Sequence, residues 1–240
     1  MGIISSNTLF HWTNKDSLIG ILKNEFKINY CREDFTIKGG LLLTIRVPLV
    51  SFCDIPLSES RNQMDKYGQY GIGLKKEWGI KNGLNPVLYM VSNSNLTTQY
   101  TLTLIKNFIS ETVNSNLDEI MDELLVYFKN HMGGKNIKEK NYEFYKEREW
   151  RYVPNNIKHK FFSKKNWENP QLKQEGLDGI EPLRLGFTPN DISYLILKEE
   201  DEIYDFVGLI QDIKGRKYTE KEVKLLTTKI ITSKNIRSDF

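Results

Sequence analysis

Hydrophobic and polar positions along this chain change period several times. Thr8-Leu9-Phe10-His11-Trp12 reads as a first strand. Asn14 or Asp16 is placed to cap a helix over Ser17 to Lys23, with apolar residues at Leu18, Ile19, Ile21 and Leu22. Leu41 to Val47 is a strongly apolar strand that Pro48 is expected to break, and Leu49 to Asp54 is a second short strand ended by Pro56. Leu57 to Lys66 is polar with helical spacing. Tyr70-Gly71-Ile72-Gly73-Leu74 is a strand whose missing side chains permit close backbone approach. A short helix follows over Lys75 to Lys81, then a buried strand over Pro86 to Val91.

The period then changes. Leu102, Ile105, Phe108 and Ile109, followed by Leu117, Ile120, Met121, Leu124, Leu125 and Phe128, fit amphipathic helix. Asn114-Ser115-Asn116 separates two helices, and Gly133-Gly134 is expected to end the second. Tyr145 to Val153 alternates like a strand, and a long polar loop is expected from Asn155 to Gly179. Ser193 to Leu197 reads as a strand, Asp201 to Ile213 as a helix, and Lys229 to Thr232 as a last strand. Strands with helices inserted, rather than strict alternation, predict an α+β fold. The expectation is a single domain over residues 1–240 with a helical insertion at about 97–132. No GxGxxG follows a strand and no Walker A loop is present, so doubly wound nucleotide-binding folds lose support.

Composition narrows the functional classes. The hydrophobic share of 39% supports an ordinary core, and the formal charge of +3 is too mild for non-specific nucleic-acid binding. Basic residues gather from Lys158 to Lys173 and read as a solvated loop. Cys31 and Cys53 form no CxxC, and the chain has 3 histidines without ligand spacing, so neither a disulfide framework nor a metal site is expected. Met1 to Asn7 lacks the features of a signal peptide, and no apolar run is long enough to span a bilayer. A cytoplasmic location with no membrane partner is the expectation.

Candidate chemistry concentrates in Tyr145-Lys146-Glu147-Arg148-Glu149-Trp150-Arg151-Tyr152-Val153. On a continuous strand Glu147 and Glu149 would share one face, with Arg148 and Trp150 on the other. Paired carboxylates facing a cleft suit acid/base work, while the plain alternative is an edge strand with a solvated acidic face. His11 sits in Phe10-His11-Trp12-Thr13, and Tyr67-Gly68-Gln69-Tyr70-Gly71 offers aromatic hydroxyls beside flexible backbone. Either tyrosine suits stacking on a planar ligand or packing in a core.

An early His, a middle Tyr and a late Glu resemble the arrangement of ADP-ribosyltransferases. That resemblance implies NAD as substrate. His11 with Thr13 would hold its ribose, Tyr67 or Tyr70 would stack on nicotinamide, and Glu149 would be the catalytic carboxylate with Glu147 as helper. A carboxylate beside the ribose C1 would favour positive charge developing there. Arg151 would orient Glu149 or meet a phosphate. The acceptor would be a nucleic acid or a partner protein.

A second resemblance covers nearly the whole chain. Val50-Ser51-Phe52-Cys53-Asp54-Ile55-Pro56-Leu57, Lys66 to Trp78, Asn85-Pro86-Val87-Leu88-Tyr89, Glu149 to Pro154 and Lys229 to Thr232 resemble the AbiGi family, antitoxins of the AbiG abortive phage-resistance operon. This implies a bacterial anti-phage role and, as partner, a cognate toxin of nucleotidyltransferase type or a phage component. The expected function is an abortive-infection protein with ADP-ribosyltransferase-like chemistry. The alternative is a non-catalytic antitoxin that grips its toxin through the helical segment or the basic loop. A third reading, an RNA-binding regulator, rests on the basic loop.

Overall fold

The computed structural model describes residues 5–36, 42–110, 115–133, 142–215 and 217–239. In chain order, β1 (Thr8–Thr13), α1 (Lys15–Asn24), β2 (Phe26–Lys27), β3 (Asn29–Thr36) and β4 (Leu42–Cys53) come first. Then follow α2 (Arg61–Tyr67), β5 (Tyr70–Lys75), α3 (Lys76–Lys81), β6 (Asn85–Pro86) and β7 (Leu88–Met90). The middle holds α4 (Asn95–Ser110), α5 (Ser115–Leu125), β8 (Phe128–Asn130), β9 (Met132–Gly133), β10 (Tyr142–Glu143) and β11 (Glu149–Tyr152). The rest is β12 (Phe162–Ser163), α6 (Lys164–Glu168), α7 (Pro170–Ile180), β13 (Arg184–Leu185), β14 (Ile192–Leu197), α8 (Ile203–Lys214), α9 (Glu220–Thr227), β15 (Ile230–Thr232) and α10 (Ser233–Asp239). The fold is mixed α and β, with a sheet of mixed strand direction.

The chain forms two compact units, where the sequence reading expects a single domain with a helical insertion. The first comprises Met1–Lys27, Ser51–Leu84 and Arg184–Phe240; the second comprises Ile28–Val50 and Asn85–Leu183.

In the first unit the strand order is β15-β14-β5-β1, with the end of β4 beyond β1. β14 and β15 run parallel and the other pairs are antiparallel. Phe10 lies opposite Gly73 and Trp12 opposite Gly71. A Cβ on Gly73 would come within 2.8 Å of the Phe10 ring and the Thr8 methyl, and one on Gly71 within 3.2 Å of the Trp12 ring. The Gly-x-Gly spacing therefore clears room for aromatic rings that fold across the neighbouring strand. Those rings join Cys53, Ile55, Met64, Ile196 and Ile236 in one apolar core. Asn14 caps α1 by accepting from the Ser17 amide, as its side chain and position predict.

In the second unit β3 pairs with β4 from Asn29↔Leu49 to Thr36↔Leu42, and β12 also pairs with β4. β11 pairs with β6, and β7 runs parallel to β8. The core gathers Phe35, Ile45, Val47, Leu49, Met90, Leu125, Val126, Phe128 and Val153, with Tyr100 and Met121 packed on it.

Several local expectations need correction. Pro48 does not break a strand: β4 runs through it, with Tyr30 opposite. Proline's fixed φ suits extended chain, and only its own missing donor is lost. Pro86 to Val91 is two short, partly exposed strands rather than one buried strand. The second helix of the middle segment ends at Leu125, not at the glycines, and Gly133 lies in β9. Residues 155–179 are not one loop. Ser163 caps α6, and Asn169 with Pro170 at the first turn starts α7. Among the described residues no helix is long and apolar enough to cross a membrane.

Candidate functional site

The residues expected to form one site fall in both units. His11, Thr13, Tyr67 and Tyr70 belong to the first, and Glu147, Glu149 and Arg151 to the second.

In the first unit, His11 pairs with Ile72 and Thr13 with Tyr70 across β1 and β5. Directly opposed residues share a face, so His11, Thr13 and Tyr70 lie on one side of the sheet. Tyr67 is set apart at the end of α2, exposed, with the Lys66 ammonium 5.2 Å from its ring. Gly68 follows it at φ +123°, and a Cβ there would sit 2.2 Å from the Thr13 carbonyl oxygen, so this turn requires glycine. The His11 Nδ1 lies 2.8 Å from the Ser51 carbonyl oxygen, to which it donates when protonated at that nitrogen. Its ring stands 5.3 Å from Phe26 and 5.7 Å from Phe52. Desolvation by these surroundings lowers its pKa, opposed by the bond to Ser51. The Tyr70 hydroxyl donates to Glu202, 2.7 Å from Oε1, and Glu202 also holds Lys15 at 2.7 Å. Burial and the Glu202 charge both push the Tyr70 phenol upward.

In the second unit Arg151 does meet Glu149, but the strand is shorter than the sequence reading expects. Phe144–Glu147 is a 3-10 turn, Arg148 is left-handed at φ +45°, and β11 begins only at Glu149. Glu147 and Glu149 are therefore not alternate residues of one strand. They still converge, because both point at Lys129: its Nζ lies 2.9 Å from Glu149 Oε2 and 3.9 Å from Glu147. Arg151 does share the strand face of Glu149, donating from Nε to Oε1 at 2.7 Å. Its other nitrogens donate to Glu33 at 2.6 Å and to the Val126 carbonyl at 2.9 Å. Arg151 is 0% exposed. The Glu149 amide in turn donates to the Tyr89 hydroxyl at 2.9 Å.

This cluster sets Glu33, Glu147 and Glu149 against Lys129 and Arg151. Burial alone would raise the Glu149 pKa, yet the charges of Arg151 and Lys129 outweigh it and hold the carboxyl well below the usual carboxylate range. Burial would likewise strip charge from Lys129, and Glu149 with Glu33 more than offsets it. Sequence reading missed Glu33, Lys129 and Tyr89. One signal was present: Glu33 stands between Cys31 and Phe35, residues that share its face of β3 and pack on the apolar core.

The expected solvated basic loop is also more structured than expected. Lys158 pairs with Glu175 and Lys160 with Glu123, while Arg46 and Lys173 lie 5.5 and 5.3 Å from the Trp167 ring. Among the described residues no group of His, Cys, Asp and Glu is arranged to hold a metal ion.

The family described as "Putative abortive phage resistance protein AbiGi, antitoxin" matches residues 24–198, more than half of the chain. This chain belongs to the AbiGi family. The match contains the whole of the second unit and its charge cluster, and begins after His11 and Thr13. An abortive phage resistance protein AbiGi from Lactococcus lactis subsp. cremoris is 26% identical over 229 residues, covering 81% of this chain and 89% of that AbiGi protein. No solved structure matches.

Proposed function

We propose that this AbiGi chain acts in abortive phage resistance as a non-catalytic antitoxin that binds and neutralises a toxin protein. The observation that carries this reading, beside the family's description, is the state of Glu149. A carboxylate that stabilises a cationic transition state needs its charge aimed at substrate. The Glu149 charge is instead met by Arg151 at 2.7 Å and Lys129 at 2.9 Å, and its residue is 6% exposed. The same geometry suits a structural keystone. Glu149 neutralises the guanidinium of Arg151, which is fully buried.

The enzymatic alternative, NAD-dependent transfer of ADP-ribose on an ADP-ribosyltransferase-like sheet, keeps a specific support. His11, Thr13 and Tyr70 share one sheet face in the order that the resemblance requires. One experiment separates the readings. The purified chain is incubated with NAD labelled in the adenylate and nicotinamide portions, with and without the toxin encoded in its operon. The antitoxin reading expects a complex with the toxin and no released nicotinamide. Nicotinamide release that disappears in His11→Ala would overturn it.

A further inference from the structure

We infer that Lys214 is a covalent modification site, an amine that accepts an acyl group from a small acyl phosphate. Such a site does not depend on the antitoxin reading.

Lys214 is the last residue of α8 and is only 6% exposed. Its Nζ lies 5.1 Å from the centre of the Phe187 ring and 5.8 Å from that of Tyr218. Among the described residues its ammonium has no ion-pair partner and no hydrogen-bond acceptor. Two partly buried lysines show what such a group usually finds. Lys129 meets Glu149 at 2.9 Å, and Lys229 donates to the Pro189 carbonyl at 3.0 Å and to the Ile192 carbonyl at 2.6 Å. Oxygen partners of that kind hold the proton on nitrogen. At Lys214 only ring faces meet the ammonium, and they attract it by less than the water it loses. Desolvation therefore lowers its pKa; the Lys217 charge adds to this, and Glu25 opposes it. An amine desolvated by apolar walls and set beside a second cation is a nucleophile at neutral pH.

The neighbours select the donor. Lys217 shares the Tyr218 ring, with its Nζ 5.7 Å from the centre, and lies 3.7 Å from Glu25. The side chains of Lys217 and Glu25 are 68% and 32% exposed, so the charged groups beside Lys214 reach solvent. The Lys217 charge matches a phosphate leaving group. The low exposure of Lys214 favours a small donor over a bulky carrier. In the step, the Lys214 lone pair attacks the acyl carbon, a C–N bond forms and the C–O bond to phosphate breaks. The amine proton leaves with the phosphate, and the products are the Lys214 amide and inorganic phosphate. The modified side chain carries no charge. The Lys214 carbonyl accepts from the Lys217 and Tyr218 amides at 3.0 Å each, so the change falls on the turn between α8 and α9.

The test incubates the full chain with acetyl phosphate near neutral pH and follows each lysine by peptide mass spectrometry. Lys221, exposed on α9, is the internal reference. Lys214 is expected to acetylate about tenfold faster than Lys221, with a rate that levels off at lower pH. Lys217→Gln changes an exposed side chain and should leave the circular dichroism unaltered, yet slow Lys214 and not Lys221. In urea the preference for Lys214 should vanish. Reaction at Lys214 no faster than at Lys221 would overturn the proposal, and so would a Lys214 rate indifferent to Lys217→Gln. A preference that survives unfolding would belong to the local sequence and not to the pocket, and would overturn it as well.

Discussion

The interiors around His11 and around Glu149 hold their chemically suggestive residues by opposite physics. His11 lies against the rings of Phe26 and Phe52, and desolvation favours its neutral form. Glu149 lies between Arg151 and Lys129, and opposite charge favours its ionised form despite burial. A histidine and a glutamate that look alike as catalytic candidates in sequence thus have different local employment. An apolar pocket needs only packing and a single carbonyl acceptor. A buried charge needs partners from several strands, here β3, β8 and β11.

The largest expected effect breaks the charged interior. Arg151→Leu leaves Glu149 and Glu33 without their shared guanidinium and should destabilise the protein by about 3–5 kcal/mol, read from urea unfolding. Near-wild-type stability would mean that the cluster relaxes to water and is not a keystone. Adding Glu33→Gln to Arg151→Leu should recover part of the loss, because Lys129 still offsets Glu149 while one stranded carboxylate is gone.

A smaller effect tests the aromatic side. Gly73→Val puts a Cβ within 2.8 Å of Phe10 and Thr8, and should cost about 1–3 kcal/mol. Gly73→Val combined with Phe10→Leu should cost less than the sum of the singles if ring and glycine share one space. Additive losses would deny that coupling.

The smallest effects are in pH dependence, and they separate the two interiors. Glu149 has a depressed folded pKa, so its contribution is present above the ordinary value of about 4.3 and lost as pH falls through the folded value. His11 also has a lowered folded pKa, but as a base it contributes above about 6.5 and loses stability as pH falls below that. Stability followed from pH 8 downward should show a shallow His11 decline first, absent in His11→Phe, and the Glu149 decline only in acid. A single decline unaffected by either substitution would contradict both assignments.

Much of this was legible in sequence where a local rule applied. The cap at Asn14, the strand at Tyr70 to Leu74 and the alternation that puts Glu149 and Arg151 on one face depend on neighbouring residues alone. Reading failed where tertiary context decided. Pro48 is carried through β4 because β3 pairs along its length. Arg148 takes a left-handed φ that no alternation pattern reveals, which removes Glu147 from the strand. Glu33 and Lys129 lie far from Glu149 in sequence, so nothing local announces the partners that neutralise it. In the middle segment Met121, Leu125 and Phe128 pack on the core as the amphipathic reading expects, whereas Leu102, Ile120 and Leu124 of the same pattern are exposed.

The most direct measurement is Glu149→Gln, scored together for melting temperature and for neutralisation of the toxin proposed above as its partner. The swap keeps size, removes the charge that Arg151 and Lys129 share, and turns one of the two accepting oxygens into a donor facing them. A structural keystone predicts a loss of about 2–4 kcal/mol, with a lowered melting temperature and with neutralisation intact at temperatures where the variant stays folded. An unchanged melting temperature with neutralisation abolished would contradict the account and give Glu149 a direct role in function.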